Sequence, residues 1–198
     1  RYFNMGTSEE FAVSEKTGPQ NEETLLAPKS PYGSAKCAAR HIVSVWRQSY
    51  NLFAIQGWTF NFESEIRGEK YVTRKISLGV ARIARAIKDG KPFEPLELGN
   101  LDSHRSWQYA ADVADGIWRM LNQDKPVEYV LSAQDTHTVR SFVEKAFAVA
   151  GIGGLWVGSD NEEVFVRKLD YPNAAVGWGC LVRINPSFLR PADVTYLH

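Results

Sequence analysis

Residues 30–36 read SPYGSAK, and the fold turns on how this heptapeptide is read. Ser30 is a natural helix N-cap, and Pro31 suits the first helical position, where its missing N–H would be unpaired in any case. Tyr32 and Lys36 then stand one turn apart on the same helix face. Such a pair is either an ordinary helix start or a phenol whose acidity is tuned by an ammonium group. A free phenol ionises near ~10 and is a poor base at neutral pH. A neighbouring ammonium favours the phenolate, and the helix N-terminus adds partial positive charge at the same place. Tyr32 is then equipped to take a proton from a substrate hydroxyl while hydride leaves the same carbon.

The spacing predicts a helix from about Pro31 to Tyr50. Ala35, Ala39, Ile42, Trp46 and Tyr50 step by four, three, four and four along it, one apolar stripe. That stripe faces either the core or a second subunit. The first half of the helix is built from small residues, Gly33, Ser34, Ala35, Ala38 and Ala39, which let another surface come close. Before it, the chain opens with a short strand through about Thr7, and residues 8–30 are acidic and loop-like, with Gly18, Pro19 and Pro28. After it, LFAIQGWTFNF reads as a strand. YVTRKISLGVARIARAIKDGKP then reads as a helix with Val72, Ile76, Val80, Ile83 and Ile87 on one side and a stop at Gly90. PLELGN is a short extended piece, YAADVADGIWRMLNQ a helix, EYVLSA a strand and TVRSFVEKAFAVAGI a helix ending near Gly151. Residues 155–198 mix short strands and loops. Strands alternating with helices make the fold α/β, with a smaller C-terminal lobe.

The bulk composition excludes several classes. Of the 198 residues 44% are hydrophobic and 23% charged, as in a globular domain with a sizeable core. Acidic and basic residues balance at 23 each, so no field suited to nucleic acid is expected. No apolar run reaches the roughly 18 residues of a membrane span, and the first residues carry no signal-peptide pattern. Cys37 and Cys180 match no metal spacing and are expected to be reduced thiols in the cytoplasm. No metal site is expected.

Roughly two dozen residues before Tyr32 stands GTSEE, residues 6–10. A Ser or Thr at a strand end, followed at this distance by Tyr-x-x-x-Lys, resembles the short-chain dehydrogenase/reductase enzymes. Thr7 with Glu9 is similar to the Thr-x-Glu of the nucleotide-sugar 4,6-dehydratases. SPYGSAK, SVWRQSYN, YNLFA, FNFES, RGEKYVTRKI, LGNLDSHRSW and FLRPADV carry the resemblance further, to the GDP-mannose 4,6-dehydratase family. It runs from residue 1 to about 196, is densest between 30 and 110, and corresponds to the C-terminal portion of the family's pattern.

The resemblance implies a fold, a reaction and a set of residues. The fold is the second half of a doubly wound Rossmann-type parallel sheet, with a smaller C-terminal sugar-nucleotide lobe. Residues 1–60 would form the later half of the dinucleotide-binding domain, and 61–198 the substrate lobe interleaved with the last sheet elements. The reaction converts GDP-mannose to GDP-4-keto-6-deoxymannose with NADP as cofactor, on the way to GDP-fucose and related deoxysugars. Tyr32 would deprotonate the sugar 4-hydroxyl, Thr7 would hydrogen-bond that oxygen, and Glu9 would remove the C5 proton and then help the 6-hydroxyl leave. Lys36 would contact the cofactor ribose and Arg67 its phosphate-bearing side. Asn61, Glu63, Val72, Lys75, Gly99, Asn100, Arg105, Arg190 and Asp193 would hold the sugar nucleotide, the cations by charge-assisted bonds to its two phosphates. The expected assembly is a homo-oligomer, a dimer or tetramer.

The sequence also departs from the family. Phe62 stands where histidine is usual, Ile66-Arg67 replaces a double arginine, Gln108-Tyr109 replaces Gly-His, and Asp193 replaces glutamate. No Gly-rich dinucleotide turn occurs in the 198 residues, so the cofactor half of the sheet is expected outside them. Two other readings stay open at this level. One is an epimerase or reductase acting on another nucleotide sugar, which has little use for Glu9. The other is a cofactor-less homologue that binds the GDP-sugar without turning it over.

Overall fold

The computed structural model describes residues 1–11, 18–168 and 179–189, together with the backbone of 196–197. In chain order its elements are β1 (Tyr2–Thr7), α1 (Pro31–Tyr50), β2 (Ala54–Thr59), β3 (Phe62–Glu63), α2 (Val72–Lys88), β4 (Leu96–Leu98), β5 (His104–Arg105) and β6 (Gln108–Tyr109). There follow α3 (Ala110–Leu121), β7 (Tyr129–Leu131), β8 (His137–Thr138), α4 (Val139–Val149), β9 (Gly154–Val157), β10 (Val164–Arg167), β11 (Cys180–Ile184) and β12 (Tyr196–Leu197). The chain divides into two compact units, residues 1–64, 104–137 and 194–198 in the first, and 65–103 and 138–193 in the second.

The first unit is built on a parallel sheet of order β1-β2-β7. β1 and β2 run in register from Tyr2 beside Ala54 to Thr7 beside Thr59, with α1 as the crossover between them. All six residues of β2 are buried, so this strand is covered on both faces, as the middle of an α/β sheet requires. Gly57 is glycine because the Phe3 ring occupies the space a side chain would take; an added Cβ would lie 2.4 Å from its Cζ. Phe11, Trp58 and Phe60 form the core here, packed against Leu26 and Val130. At about 1.5–3 kcal/mol per fully buried large apolar side chain, this cluster outweighs any surface ion pair in the unit.

α1 begins at Ser30 and Pro31 as the sequence predicts, the Ser30 oxygen accepting from Gly33 N at 3.0 Å. It ends on Asn51 in the left-handed region (φ 51°). Its apolar stripe does not face the core. The buried positions are Gly33 and Val43, while Ala35, Ile42, Val45, Trp46 and Tyr50 are exposed. The inward side is completed by the half-buried Arg40 and Arg47, which pair with Glu128 at 2.6 and 3.3 Å.

The second unit pairs a four-stranded sheet, order β4-β11-β10-β9, with α2 and α4. β4 runs parallel to β11, and β9, β10 and β11 are antiparallel neighbours. α2 buries Thr73, Ile76, Gly79, Val80 and Ile83, an i, i+3, i+4 pattern. Val72 and Ile87 are only half-buried. Gly90 closes α2 in the left-handed region (φ +64°), where glycine has no steric penalty. No described helix is long and apolar enough to cross a membrane.

Candidate active site

Thr7 is the last residue of β1 and the N-cap of a short 3-10 turn over Ser8–Glu10. The sequence Thr-x-x-Glu makes this a capping box. Thr7 N–H donates to Glu10 Oε1 at 2.9 Å, and Thr7 Oγ1 accepts from Glu9 N at 3.4 Å. The Glu10 carbonyl then accepts from Ala27 N at 3.0 Å, which returns the chain toward α1.

Two further contacts join this turn to α1. The Ser30 hydroxyl donates to Glu9 Oε2 at 2.8 Å. Gly33 lies so close that an added Cβ would stand 2.5 Å from the Glu9 carbonyl oxygen. One turn on, Lys36 Nζ donates to the Met5 carbonyl on β1 at 2.9 Å and sits 5.8 Å from the centroid of the Tyr32 ring. Tyr32 is 53% exposed and does not enter the core. Thr7, Glu9, Tyr32 and Lys36 therefore belong to one β1–turn–α1 joint, at the carboxyl end of a parallel strand, where open α/β sheets bind their ligands. Ser30 already holds the Glu9 carboxylate.

Of the other residues singled out from sequence, Asn61, Glu63 and Arg105 share this unit. Asn61 O accepts from Gln108 N at 2.9 Å, Glu63 lies beside Tyr109 in the β3–β6 pair, and Arg105 Nη1 donates to the His104 carbonyl at 2.7 Å. Arg67, Val72, Lys75, Gly99 and Asn100 lie in the second unit. There the Arg67 guanidinium stacks on Tyr71 at 3.5 Å, and Lys75 Nζ sits 4.2 Å from the centroid of the Phe188 ring. Burial pushes the Lys75 ammonium below the ordinary lysine range, opposed by the charge of Glu97. Lys75, Arg82, Glu97, Arg183 and Phe188 line an open depression of about 430 Å³. Gly99 has no room for a side chain, since an added Cβ would lie 2.8 Å from Phe188 O. Asn100 Oδ1 accepts from Asp102 N at 2.9 Å. Arg190 and Asp193 lie outside the described residues.

A sequence model of GDP-mannose 4,6-dehydratases matches residues 1–198 of the chain. The chain belongs to the GDP-mannose 4,6-dehydratase family.

Relatives within the family agree. A GDP-mannose 4,6-dehydratase of Sinorhizobium fredii is 43% identical over 197 residues, covering 100% of this chain and 52% of the relative. Those of Drosophila melanogaster and Homo sapiens are 41% and 42% identical, again over 100% of this chain and 47% and 50% of theirs. The chain thus spans about half the length of the curated relatives it matches. Among solved structures, RMD of Pseudomonas aeruginosa complexed with NADPH aligns with a TM-score of 0.70 at 18% identity, over 94% of this chain and 55% of that one. UDP-glucose 4-epimerase of Thermus thermophilus complexed with NAD aligns at 0.64 and 21% identity, over 98% and 53%. These likenesses agree with the Rossmann-type α/β fold.

Three residues of this family member's joint carry a site role that the sequence did not assign to them: Ser30, read there only as a helix cap, Gly33, read only as a small residue, and Glu10. Ser30 binds Glu9 as well as capping α1. Gly33 gives the close approach. Glu10 is 0% exposed, its carboxylate bonded to Thr7 N and to Trp58 Nε1 at 3.1 Å, with Gln56 Nε2 at 3.5 Å. Burial pushes the Glu10 carboxyl above the ordinary range; the Thr7 and Trp58 bonds and the charges of Arg40 and Lys36 pull it back. The Thr-x-x-Glu spacing was the available signal for Glu10.

Proposed function

We propose that the polypeptide carrying this chain is a nicotinamide-dependent GDP-mannose 4,6-dehydratase, converting GDP-mannose to GDP-4-keto-6-deoxymannose and water with NADP. The observation that carries this reading is the β1–turn–α1 joint, which brings a strand-end hydroxyl, a carboxylate, an exposed phenol and an ammonium together on adjoining elements. The donor set fits the cofactor. Lys36 has three N–H donors and spends one on Met5 O, leaving donors for ribose hydroxyls. The family resemblance assigns Arg67 to the phosphate-bearing side.

A nicotinamide held beside Lys36 would supply a hydride acceptor for C4 of the sugar and a hydride donor for C6, so the reaction would be redox-neutral overall. Tyr32 Oη takes the proton of the sugar 4-hydroxyl as the C4 oxygen becomes a ketone. Thr7 Oγ1 donates to that oxygen. The ketone acidifies the proton on C5, which Glu9 removes, and the carboxylic acid so formed gives its proton to the departing 6-hydroxyl; as C6 is reduced C5 takes back one proton, which balances the one gained by Tyr32. Ser30 holds one oxygen of Glu9 through this sequence. The family resemblance assigns Lys75, Arg105 and Arg190 to the diphosphate, where cations form charge-assisted bonds, and Asn61, Glu63, Val72, Gly99, Asn100 and Asp193 to the rest of the sugar nucleotide. The exposed apolar side of α1, with Ile42, Val45, Trp46 and Tyr50, supports a homo-oligomer. The enzyme works in the cytoplasm.

The test is incubation of the full-length polypeptide with GDP-mannose and NADP⁺, followed by detection of the 4-keto-6-deoxy product. Product is expected from the wild type. Its absence, or undiminished product from Tyr32→Phe, overturns the reading.

A further inference from the structure

We propose that Glu10 is a positioning residue of this site: its buried carboxylate pins the Thr7 amide and so fixes the Thr7 hydroxyl as a donor toward the reacting oxygen. The proposal rests on the dehydratase reading of the joint. Glu10 is fully buried, and an apolar side chain of similar size would fill its place without the cost of taking an ionisable group out of water. What the carboxylate adds is acceptor capacity. Thr7 N–H, Trp58 Nε1–H and, more distantly, Gln56 Nε2–H converge on it at 2.9, 3.1 and 3.5 Å. Gln56 is itself fixed by Asn4, whose Nδ2 donates to its Oε1 at 2.6 Å. Space has been kept for this cluster: a Cβ on Gly6 would lie 2.7 Å from Glu10 Oε1 and 2.1 Å from Gln56 Nε2. The cations that face it are Arg40 and Lys36, both on α1.

The consequence reaches Thr7. With its amide on Glu10, the turn closes and Thr7 Oγ1 accepts N–H donation from within it. A hydroxyl has one proton and two lone pairs. Using a lone pair in the cap turns the proton outward, and a forming ketone oxygen can only accept. Glu10 does not touch substrate. It acts through Thr7.

The experiment uses the full-length polypeptide with NADP⁺ and GDP-mannose, and the variants Glu10→Leu, Glu10→Gln, Thr7→Val and Glu10→Leu/Thr7→Val. Glu10→Leu removes the acceptor and is expected to lower kcat roughly 30-fold with KM within about twofold. Glu10→Gln keeps an oxygen for the Thr7 amide and should stay within about threefold of wild-type kcat. The double variant should match Thr7→Val alone within about twofold, since both changes remove one interaction. Independently of turnover, amide exchange of the Thr7–Glu10 segment should quicken at least ~tenfold in Glu10→Leu, with α1 unchanged. Wild-type kcat in Glu10→Leu, additive losses in the double variant, or unchanged exchange each overturn the proposal. Should Glu10→Leu not fold, Glu10→Gln decides: a loss of kcat beyond about tenfold with the Thr7 amide still protected would mean that charge, not positioning, is what matters. If the wild type makes no product, the dehydratase reading falls by itself, and the exchange measurement still rules on the pinning of Thr7.

Discussion

The Ser30 hydroxyl donates to Glu9 Oε2 at 2.8 Å while its oxygen accepts from Gly33 N at 3.0 Å. One side chain therefore caps α1 and holds the carboxylate proposed to act at C5 and C6. Ser30→Ala should cost about 1 kcal/mol of stability from the lost cap. It should also lower kcat by roughly tenfold, because Glu9 loses its fixed orientation. Ser30→Thr keeps both bonds and is expected to retain most activity. Thermal unfolding and steady-state kinetics on the full-length polypeptide check the two effects separately.

Tyr32 is the group whose loss should be most severe. Its ring stands 5.8 Å from Lys36 Nζ and more than half its surface is open. Tyr32→Phe removes only an oxygen, so folding should be unchanged while kcat falls by roughly 10²–10⁴-fold, the usual size of a general acid–base contribution. Binding of GDP-mannose to the inactive variant should survive, as titration calorimetry can read.

The boundaries of α1 were legible because Ser30 and Pro31 are local signals, decided by one turn of backbone. The same holds for the end of α2, where Gly90 supplies the left-handed residue. The direction of the α1 stripe was not legible. Ile42, Trp46 and Tyr50 repeat as core residues do, yet the inward side is made by Gly33, Val43 and the stems of Arg40 and Arg47. Periodicity reports that a face is apolar and not what covers it. The pairing of β4 with β11, Leu96 beside Val182, was also beyond reach, because nothing local links residues so distant in sequence. Thr7, Glu9, Tyr32 and Lys36 could be found as motif residues. Ser30 and Glu10 act through them, and that needed the geometry.

The exposed stripe gives its own expectation. Trp46 is 52% exposed and stacks on Tyr50 with ring centroids 4.8 Å apart. If α1 faces a second subunit, Trp46→Glu places a charge in the contact and should weaken association by at least ~100-fold. Sedimentation velocity of the full-length polypeptide should then show monomer at concentrations where the wild type is assembled. An unchanged sedimentation profile would put the contact elsewhere.

Lys75 predicts a proton linkage in ligand binding. Burial lowers the affinity of its amine for a proton, with Glu97 opposing. A bound diphosphate stabilises the ammonium, so GDP binding should take up protons at alkaline pH. Calorimetry near pH ~9, in buffers of different ionisation enthalpy, measures the uptake. Lys75→Met should abolish it and weaken GDP binding by about 10–100-fold, as expected for a charge-assisted contact.

Two carboxylates should give opposite pH dependences of stability. Glu97 accepts from Asn185 Nδ2 at 2.9 Å and from Arg183 Nη2 at 2.6 Å, and these bonds hold its carboxyl below the ordinary value of 4.5. The folded state then binds protons less tightly than the unfolded chain. Its contribution is present above pH 4.5 and is lost as pH falls through the folded-state value. Glu10 is the reverse. Burial raises its carboxyl above 4.5, the folded state binds the proton more tightly, and stability is lost as pH rises through the interval between the two values. Relative to wild type, Glu97→Gln should therefore lose ground as pH is raised through the region below 4.5, while Glu10→Gln gains ground above it. Urea midpoints of the full-length polypeptide at about pH 3, 5 and 7 measure both slopes. Parallel slopes for the two variants would mean that burial does not raise the Glu10 carboxyl in the folded state.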